Sequence, residues 1–249
     1  MRYKNIKEFI KLYPTDLVVF CYGNYSTKDM IKNLMQSAKN IGVPVVLFAL
    51  DESISTEMQG KCDVVDYFNS NIEADKFYIY GEFTPLYKEV MMQGWKIGQE
   101  LLAAGKTIIY MDVDIVIKKD FRNYLLSLLT NDVDCVVQYN GIQAKNILAC
   151  TGFYILKPTE RVLKMFPPMF FEDKQYLEHK SDQIYFNDVI LKNKKINIQF
   201  LPQKVYPTGK YFFKHFIEIE NECHIIHFNY IASDKKKIEA MKQYNNWLI

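Results

Sequence analysis

The first 118 residues alternate short, wholly apolar runs with longer amphipathic segments, and that rhythm leaves few architectures open. "TDLVVFCYG" reads as a strand ending at Gly23, and "VPVVLFALD" as a strand ending at Asp51. Between them, "STKDMIKNLMQSAKNIG" opens on a capping Ser26 or Thr27, sets Ile31, Leu34, Met35 and Ala38 on one face, and stops at Gly42. The shorter run "CDVVDYF", a helix over "TPLYKEVMMQGWKIGQELLAAG" closed by Gly105, and the strand "KTIIYMDVD" continue the pattern. Strands apolar on both faces, joined by helices, predict an α/β fold with a mostly parallel central sheet flanked by helices.

The second half is less regular. It holds the strand-like runs "VDCVVQY", "ACTGFYILKP", "INIQFLP" and "ECHIIHFNY", with helices near "PTERVLKMF", across "SDQIYFNDVILKN" and at the C-terminus. No linker rich in Pro, Gly or Ser and no internal repeat divides the chain. Residues 1–249 are therefore expected to form a single domain, the half from about 119 building onto the half before it.

A net charge of +2 is too balanced for a chain whose main partner is nucleic acid. The longest apolar run, "VPVVLFAL", is far short of the roughly 20 residues that span a bilayer, so no transmembrane segment is expected. The N-terminus lacks the apolar core of a signal peptide. Five cysteines without close pairing mostly fall in apolar runs, as free thiols do in a reducing compartment. These features point to a soluble, cytoplasmic protein of a microbe, a protist or a large DNA virus.

One strand carries an anomaly: "YMDVDIVI" interrupts an apolar run with Asp112 and Asp114. A second Asp-x-Asp, Asp132 and Asp134, lies in "NDVDCVVQ", so the pair alone carries little. Position separates the copies. Asp112 follows "TIIYM" at the carboxyl end of a strand, where ligands bind in parallel sheets, whereas Asp132 and Asp134 sit at a strand's entrance. Two residues apart on an extended chain, the first pair project to the same side. One carboxylate can then ligate a hard divalent cation while the other meets the ligand. His227, ending the strand in "ECHIIHFNY", adds an imidazole compatible with manganese, and one of Lys235, Lys236 and Lys237 suits a diphosphate.

Five blocks, "GWKIGQELLAAGKTIIYMDVDIV", "CTGFYILKPT", "SDQIYFN", "LPQKVYPTGKYFF" and "IIHFNY" followed by Lys237, occur in the order of a known family. The chain resembles the nucleotide-diphospho-sugar transferases of the Rossmann-like GT-A fold, the group of plant and protist xylosyl- and galactosyltransferases. The resemblance implies a glycosyltransferase that moves a sugar from a UDP-sugar donor to a glycan or glycoprotein hydroxyl, with manganese or magnesium and with retention of configuration. It implies a nucleotide-binding half over about 1–118 and a half completing the acceptor and metal sites over about 119–249.

By the same resemblance, Asp112 would contact the ribose or sugar and share the metal with Asp114 and His227. Lys237 would hold the diphosphate. Lys96 would reach the donor. Tyr22, Asn24, Tyr25 and Asp51 would surround the uracil and ribose. Thr151 and Gly152 would line the sugar site, and Asp182 with Gln183 would lie against the donor sugar near the attacking face. Two residues depart from the family pattern: Cys150 stands where Asn or Ser is usual, and Ser233 where a glycine is expected. Tyr206, Pro207 and Gly209 are candidates for an acceptor-side wall. A sugar nucleotidyltransferase would want a Gly-rich phosphate loop, for which "CYGNYSTKD" is thin. An inactive nucleotide-sugar-binding protein would have no need of the intact Asp112, Asp114, His227 and Lys237 set.

Overall fold

The computed structural model describes residues 1–68, 78–79, 82–83, 85–143, 146–165, 181–193 and 195–249. The first half runs β1 (Arg2–Tyr3), α1 (Ile6–Leu12), β2 (Leu17–Gly23), a 3-10 turn at Tyr25–Thr27, α2 (Lys28–Ile41), β3 (Val46–Ala49), α3 (Glu52–Met58) and β4 (Asp63–Asp66). A small antiparallel pair, β5 (Tyr78–Ile79) and β6 (Glu82–Phe83), precedes α4 (Pro85–Ala103), β7 (Thr107–Met111) and β8 (Ile115–Ile117). Then come α5 (Arg122–Leu128), β9 (Cys135–Gln143), β10 (Asn146–Leu156), α6 (Glu160–Met165) and α7 (Asp182–Tyr185), which passes into a π turn at Phe186–Leu191. The chain closes with β11 (Ile198–Phe200), α8 (Gly209–Ile219), β12 (Ile225–His227) and α9 (Asp234–Gln243). The expected helix start at Thr84 lies outside the described residues.

The eight-stranded sheet has the order β1-β4-β3-β2-β7-β10-β9-β11. Its pairs are parallel except those of β10 with β7 and with β9, so the sheet is mostly parallel as its apolar runs predict. Alternation along each strand divides the core between the two faces. Val18, Phe20, Val46, Phe48, Ile108 and Tyr110 pack into one cluster with Phe9, Trp95 and Leu101. Val19, Cys21, Leu47, Ala49, Ile109 and Met111 pack into the other with Ile31, Leu34 and Ile54. Each fully buried phenylalanine of this set contributes about 1.5–3 kcal/mol.

α2 ends at Gly42, whose φ of +79° closes the helix in the left-handed region where glycine has no Cβ penalty. The start differs from the expected cap: a 3-10 turn precedes α2, and the Thr27 side chain makes no capping hydrogen bond. The five cysteines are all free. No helix among the described residues is long and apolar enough to cross a membrane.

The second Asp-x-Asp is part of the scaffold. Asp132 is exposed, while Asp134 is fully buried at the entrance of β9. Asp134 accepts from Arg161 Nε at 2.7 Å, Thr159 Oγ1 at 2.6 Å and the Asn197 amide at 2.9 Å. Burial pushes this carboxyl up, but those donors hold it below its ordinary pKa. Arg161→Leu should therefore lower the thermal unfolding midpoint, because Asp134 is left buried with fewer donors. An unchanged midpoint would contradict this structural role.

Candidate functional site

β2, β3 and β7 lie side by side and parallel, so their carboxyl ends, Gly23, Ala49 and Met111, open on one edge. β3 and β4 extend the sheet from one side of β2 and β7 from the other, a reversal of strand order at which such sheets bind ligands. Asn24 and Tyr25 follow β2, Asp51 lies two residues beyond β3, and Asp112 follows β7. The position of these residues is thus set by strand length and order.

Asp112 and Asp114 occupy a turn between β7 and β8 rather than an extended strand. Their convergence comes from that turn and from the run "IVI" after it, not from the two-residue repeat of a strand. β8 pairs antiparallel with β12, which sets His227 opposite Ile115. The Phe228 amide then donates to the Asp114 carbonyl at 3.0 Å. An imidazole more than a hundred residues away is thereby fixed over the carboxylates.

His227 Nε2 lies 3.1 Å from Asp114 Oδ1 and 3.5 Å from Asp112 Oδ2. Asp112, Asp114 and His227 each offer a ligand atom, and these lie within 4.8 Å of one another. Lys237 Nζ sits 2.8 Å from Asp114 Oδ2. Its neighbours Lys235 and Lys236 are exposed, so α9 delivers one lysine of three to the site. Ser233 accepts from the Lys236 amide and caps α9, a role its hydroxyl fills where glycine offers none.

Asp114 and His227 are each almost fully buried. Burial would raise the Asp114 pKa, but Lys237 and His227 hold it far below the carboxylate range. Burial would lower the His227 pKa, yet Asp114 above all holds it well above the usual value. Burial likewise opposes, and Asp114 enforces, a raised Lys237 pKa. Asp114 Oδ1 and His227 Nε2 nonetheless meet only as an ion pair at 3.1 Å and have no hydrogen-bond partner among the described residues. Two buried, orphaned polar atoms facing each other beside a second carboxylate, Asp112, fit a divalent cation.

Around this centre the packing is close. A Cβ on Gly152 would lie 2.3 Å from His227 Cε1 and 2.4 Å from Asp112 Oδ2. The Gly152 carbonyl accepts from the Asp112 amide at 2.8 Å. Tyr110, buried beneath, donates its hydroxyl to Asp112 Oδ1 at 2.5 Å. Thr151 Oγ1 donates to Asp182 Oδ2 at 2.9 Å. Burial, and next the charge of Asp112, raise the Asp182 pKa to about 6. Asp182, Thr151 and Trp95 share a small cavity with Tyr22 and Gly94. Gln183, next along α7, is half-buried, and its carbonyl accepts from Asn187 Nδ2.

Sequence reasoning missed three supporting amides. Asn187 clamps Ala149, donating to its carbonyl at 2.9 Å and accepting from its amide at 2.8 Å, and so fixes β10 just before Thr151. Asn229 accepts from the Gly209 amide and donates to Cys150 Sγ. Gln138 contacts His227. The only signal for Gln138 was a polar residue inside the buried strand "CVVQY".

Other candidates stand further from the carboxylates. Tyr22 stacks on Tyr110, while Tyr25 is exposed with Lys28 over its ring. Asn24 is buried and its Nδ2 has no hydrogen-bond partner among the described residues. Asp51 has both oxygens engaged by backbone amides, of Ile54 and of Tyr25. Lys96 is half-buried on α4, one residue after Trp95. Tyr206, Pro207 and Gly209 are buried, and the Tyr206 and Pro207 carbonyls accept from Gln138 Nε2.

Comparison with known proteins agrees with this geometry. Residues 40–241 match the family described as nucleotide-diphospho-sugar transferase. A UDP-galactose:fucoside alpha-3-galactosyltransferase of Dictyostelium discoideum is 22% identical over 94% of this chain and 43% of its own. A UDP-D-xylose:L-fucose alpha-1,3-D-xylosyltransferase of Arabidopsis thaliana is 26% identical over 60% of this chain and 47% of its own. The chain thus spans less than half the length of these relatives. A glycosyltransferase involved in glycosylation of the major capsid of PBCV-1 superposes with a TM-score of 0.57, at 9% identity over 91% of this chain and 98% of that one. The galactosyltransferase LgtC, solved with donor and acceptor sugar analogues, superposes at 0.55, with 8% identity over 92% of this chain and 94% of that one. The fold is that of the GT-A glycosyltransferases, and the chain belongs to the nucleotide-diphospho-sugar transferase family.

Proposed function

We propose that this nucleotide-diphospho-sugar transferase moves a sugar from a UDP-sugar to a hydroxyl of a glycan or glycoprotein, retaining the anomeric configuration. The observation that carries the reading is the facing pair of orphaned atoms, Asp114 Oδ1 and His227 Nε2, at the carboxyl edge of the sheet. Asp112, Asp114 and His227 would hold manganese or magnesium, which supplies positive charge where the diphosphate leaves. Lys237 adds a cation on the same side, with Asp114 keeping its ammonium charged. The unpartnered Asn24 amide suits a carbonyl of the uracil, and the exposed Tyr25 ring a stacked base. Lys96 would reach the donor's phosphate or sugar.

Asp182, which accepts from Thr151, and Gln183, next along α7, would meet the donor sugar. Gln183 is a poor nucleophile, and Asp182 is assigned to orienting the donor's hydroxyls. The acceptor therefore attacks from the face the diphosphate leaves, and the departing phosphate oxygen takes its proton. Incubation with UDP-galactose or UDP-xylose, a fucoside acceptor and manganese should release UDP and form a retained glycoside, and EDTA should stop it. Metal-independent turnover would overturn the cation's role.

Asp182 makes a pH-dependent prediction. A carboxyl raised from 3.8 to about 6 binds its proton more tightly in the native state. Its stabilising effect is complete below about 3.8 and is lost as the pH rises through about 6. Asp182→Asn should thus gain stability relative to wild type between pH 4.5 and 7.5, by on the order of 1–3 kcal/mol, while losing transfer activity. Manganese on Asp112 should shrink the gain, because it offsets the second cause of the shift. A stability difference constant across that range would contradict the assignment.

A further inference from the structure

We infer that Gln138 is a positioning residue: its side-chain amide fixes the proton of His227 on Nδ1 and aims Nε2 at Asp112 and Asp114. The inference rests on the proposed metal site but is argued from hydrogen bonds alone. Gln138 is fully buried in β9, where an amide must satisfy both its donor and its acceptor ends. Its nitrogen faces two carbonyl oxygens, Pro207 at 2.9 Å and Tyr206 at 3.2 Å. Only the NH2 end can serve there, since a flipped amide would set oxygen against oxygen twice. The orientation of the group follows from its neighbours.

Gln138 Oε1 is left 2.9 Å from His227 Nδ1. A carbonyl oxygen only accepts, so Nδ1 carries the hydrogen. The other neighbour of Nδ1, Cys150 Sγ, is 3.8 Å away and is already approached by Asn229 Nδ2. In the neutral ring the lone pair therefore lies on Nε2, the atom beside both carboxylates that has no hydrogen-bond partner. A metal-ligating histidine needs this arrangement, with the second nitrogen held by a group that sets tautomer and ring angle.

The two carbonyls that orient Gln138 are themselves fixed. Tyr206 is buried against Phe153 and His224, its hydroxyl 2.9 Å from His224 Nδ1. Three residues on, the Gly209 amide donates to Asn229, two residues after His227. A Cβ on Gly209 would lie 2.2 Å from the Asn229 carbonyl oxygen, so the two segments touch backbone to backbone. Gln138 is the strut between the sheet, this segment and the imidazole.

The test compares wild type with Gln138→Met, which keeps shape but loses both hydrogen-bonding ends, and Gln138→Glu, which as a buried neutral carboxylic acid keeps an acceptor for His227 and an O–H donor for the two carbonyls. Manganese affinity is measured by titration, and a slowly exchanging His227 Nδ1–H proton by 15N-edited NMR on metal-free protein. Gln138→Met should bind manganese about 10–100-fold more weakly and lose the protected proton. Gln138→Glu should keep both. Wild-type affinity together with a protected Nδ1–H in Gln138→Met would overturn the inference. If Gln138→Met does not fold, Gln138→Glu decides: loss of the protected proton there refutes the assignment and its retention supports it. Should wild type bind no manganese, the metal reading fails separately, and the NMR signal still judges Gln138.

Discussion

Gly152→Ala should weaken manganese binding about 10–100-fold, beyond its cost to the fold. A methyl group there meets His227 Cε1 at 2.3 Å and Asp112 Oδ2 at 2.4 Å, both atoms of side chains held by hydrogen bonds. The imidazole is held by Gln138 and β12, and Asp112 by Tyr110 and the Gly152 carbonyl. One ligand must move by about an ångström, which spoils the site's geometry. The overpacking itself should cost about 1–3 kcal/mol. Gly105→Ala is the control: its φ is +81°, but a Cβ there meets nothing within 4 Å. It should lose about 1 kcal/mol of stability and no metal affinity. Equal metal affinity in the two variants, by titration, would mean that Asp112 and His227 do not jointly hold the ion.

The second large effect is expected of Asp114→Asn. Metal-dependent UDP binding should disappear, because Asp114 Oδ1 is the buried, unpartnered oxygen nearest His227 Nε2. Stability of the metal-free protein should change with pH in a defined window. Asp114 is depressed, so its contribution exists above the ordinary value of 3.8. His227 is raised, so its contribution is complete below 6.5 and is lost as the pH climbs through its elevated folded value. The wild type should therefore exceed Asp114→Asn most clearly between about pH 5 and 6.5, with the gap narrowing at alkaline pH. Denaturant unfolding at pH 5.5 and 9 checks this, and a gap that widens with pH would contradict the charge assignment.

Much of this was readable from the chain because strands β2, β3 and β7 carry their own signal. Apolar runs such as "VVLFAL" on both faces demand a covered parallel sheet, and residues just after them must lie at its functional edge. Asp112 and Asp114 were placed at that edge by strand position, His227 by the end of its own strand, and Lys237 by the family resemblance. What could not be read was how they meet. The turn at Asp112–Asp114 and the pairing of β8 with β12 depend on a contact over a hundred residues apart in sequence, which no local period encodes. The supporting amides Gln138, Asn187 and Asn229 resemble ordinary polar residues until their partners are in place. The burial of Tyr206 was illegible for a related reason: its place beside Pro207 and Gly209 carries no sign of the core packing against Phe153.

The central claim is that a metal and a UDP diphosphate complete one site at Asp112, Asp114, His227 and Lys237. Thermal unfolding with UDP, with manganese, and with both tests it most directly. A ligand at 100 times its dissociation constant adds about 2.7 kcal/mol, a rise on the order of 5–10 °C for a chain of this length. The account predicts that the full rise needs both ligands and is absent in Asp114→Asn. The same rise with UDP alone, or none with both, would contradict it.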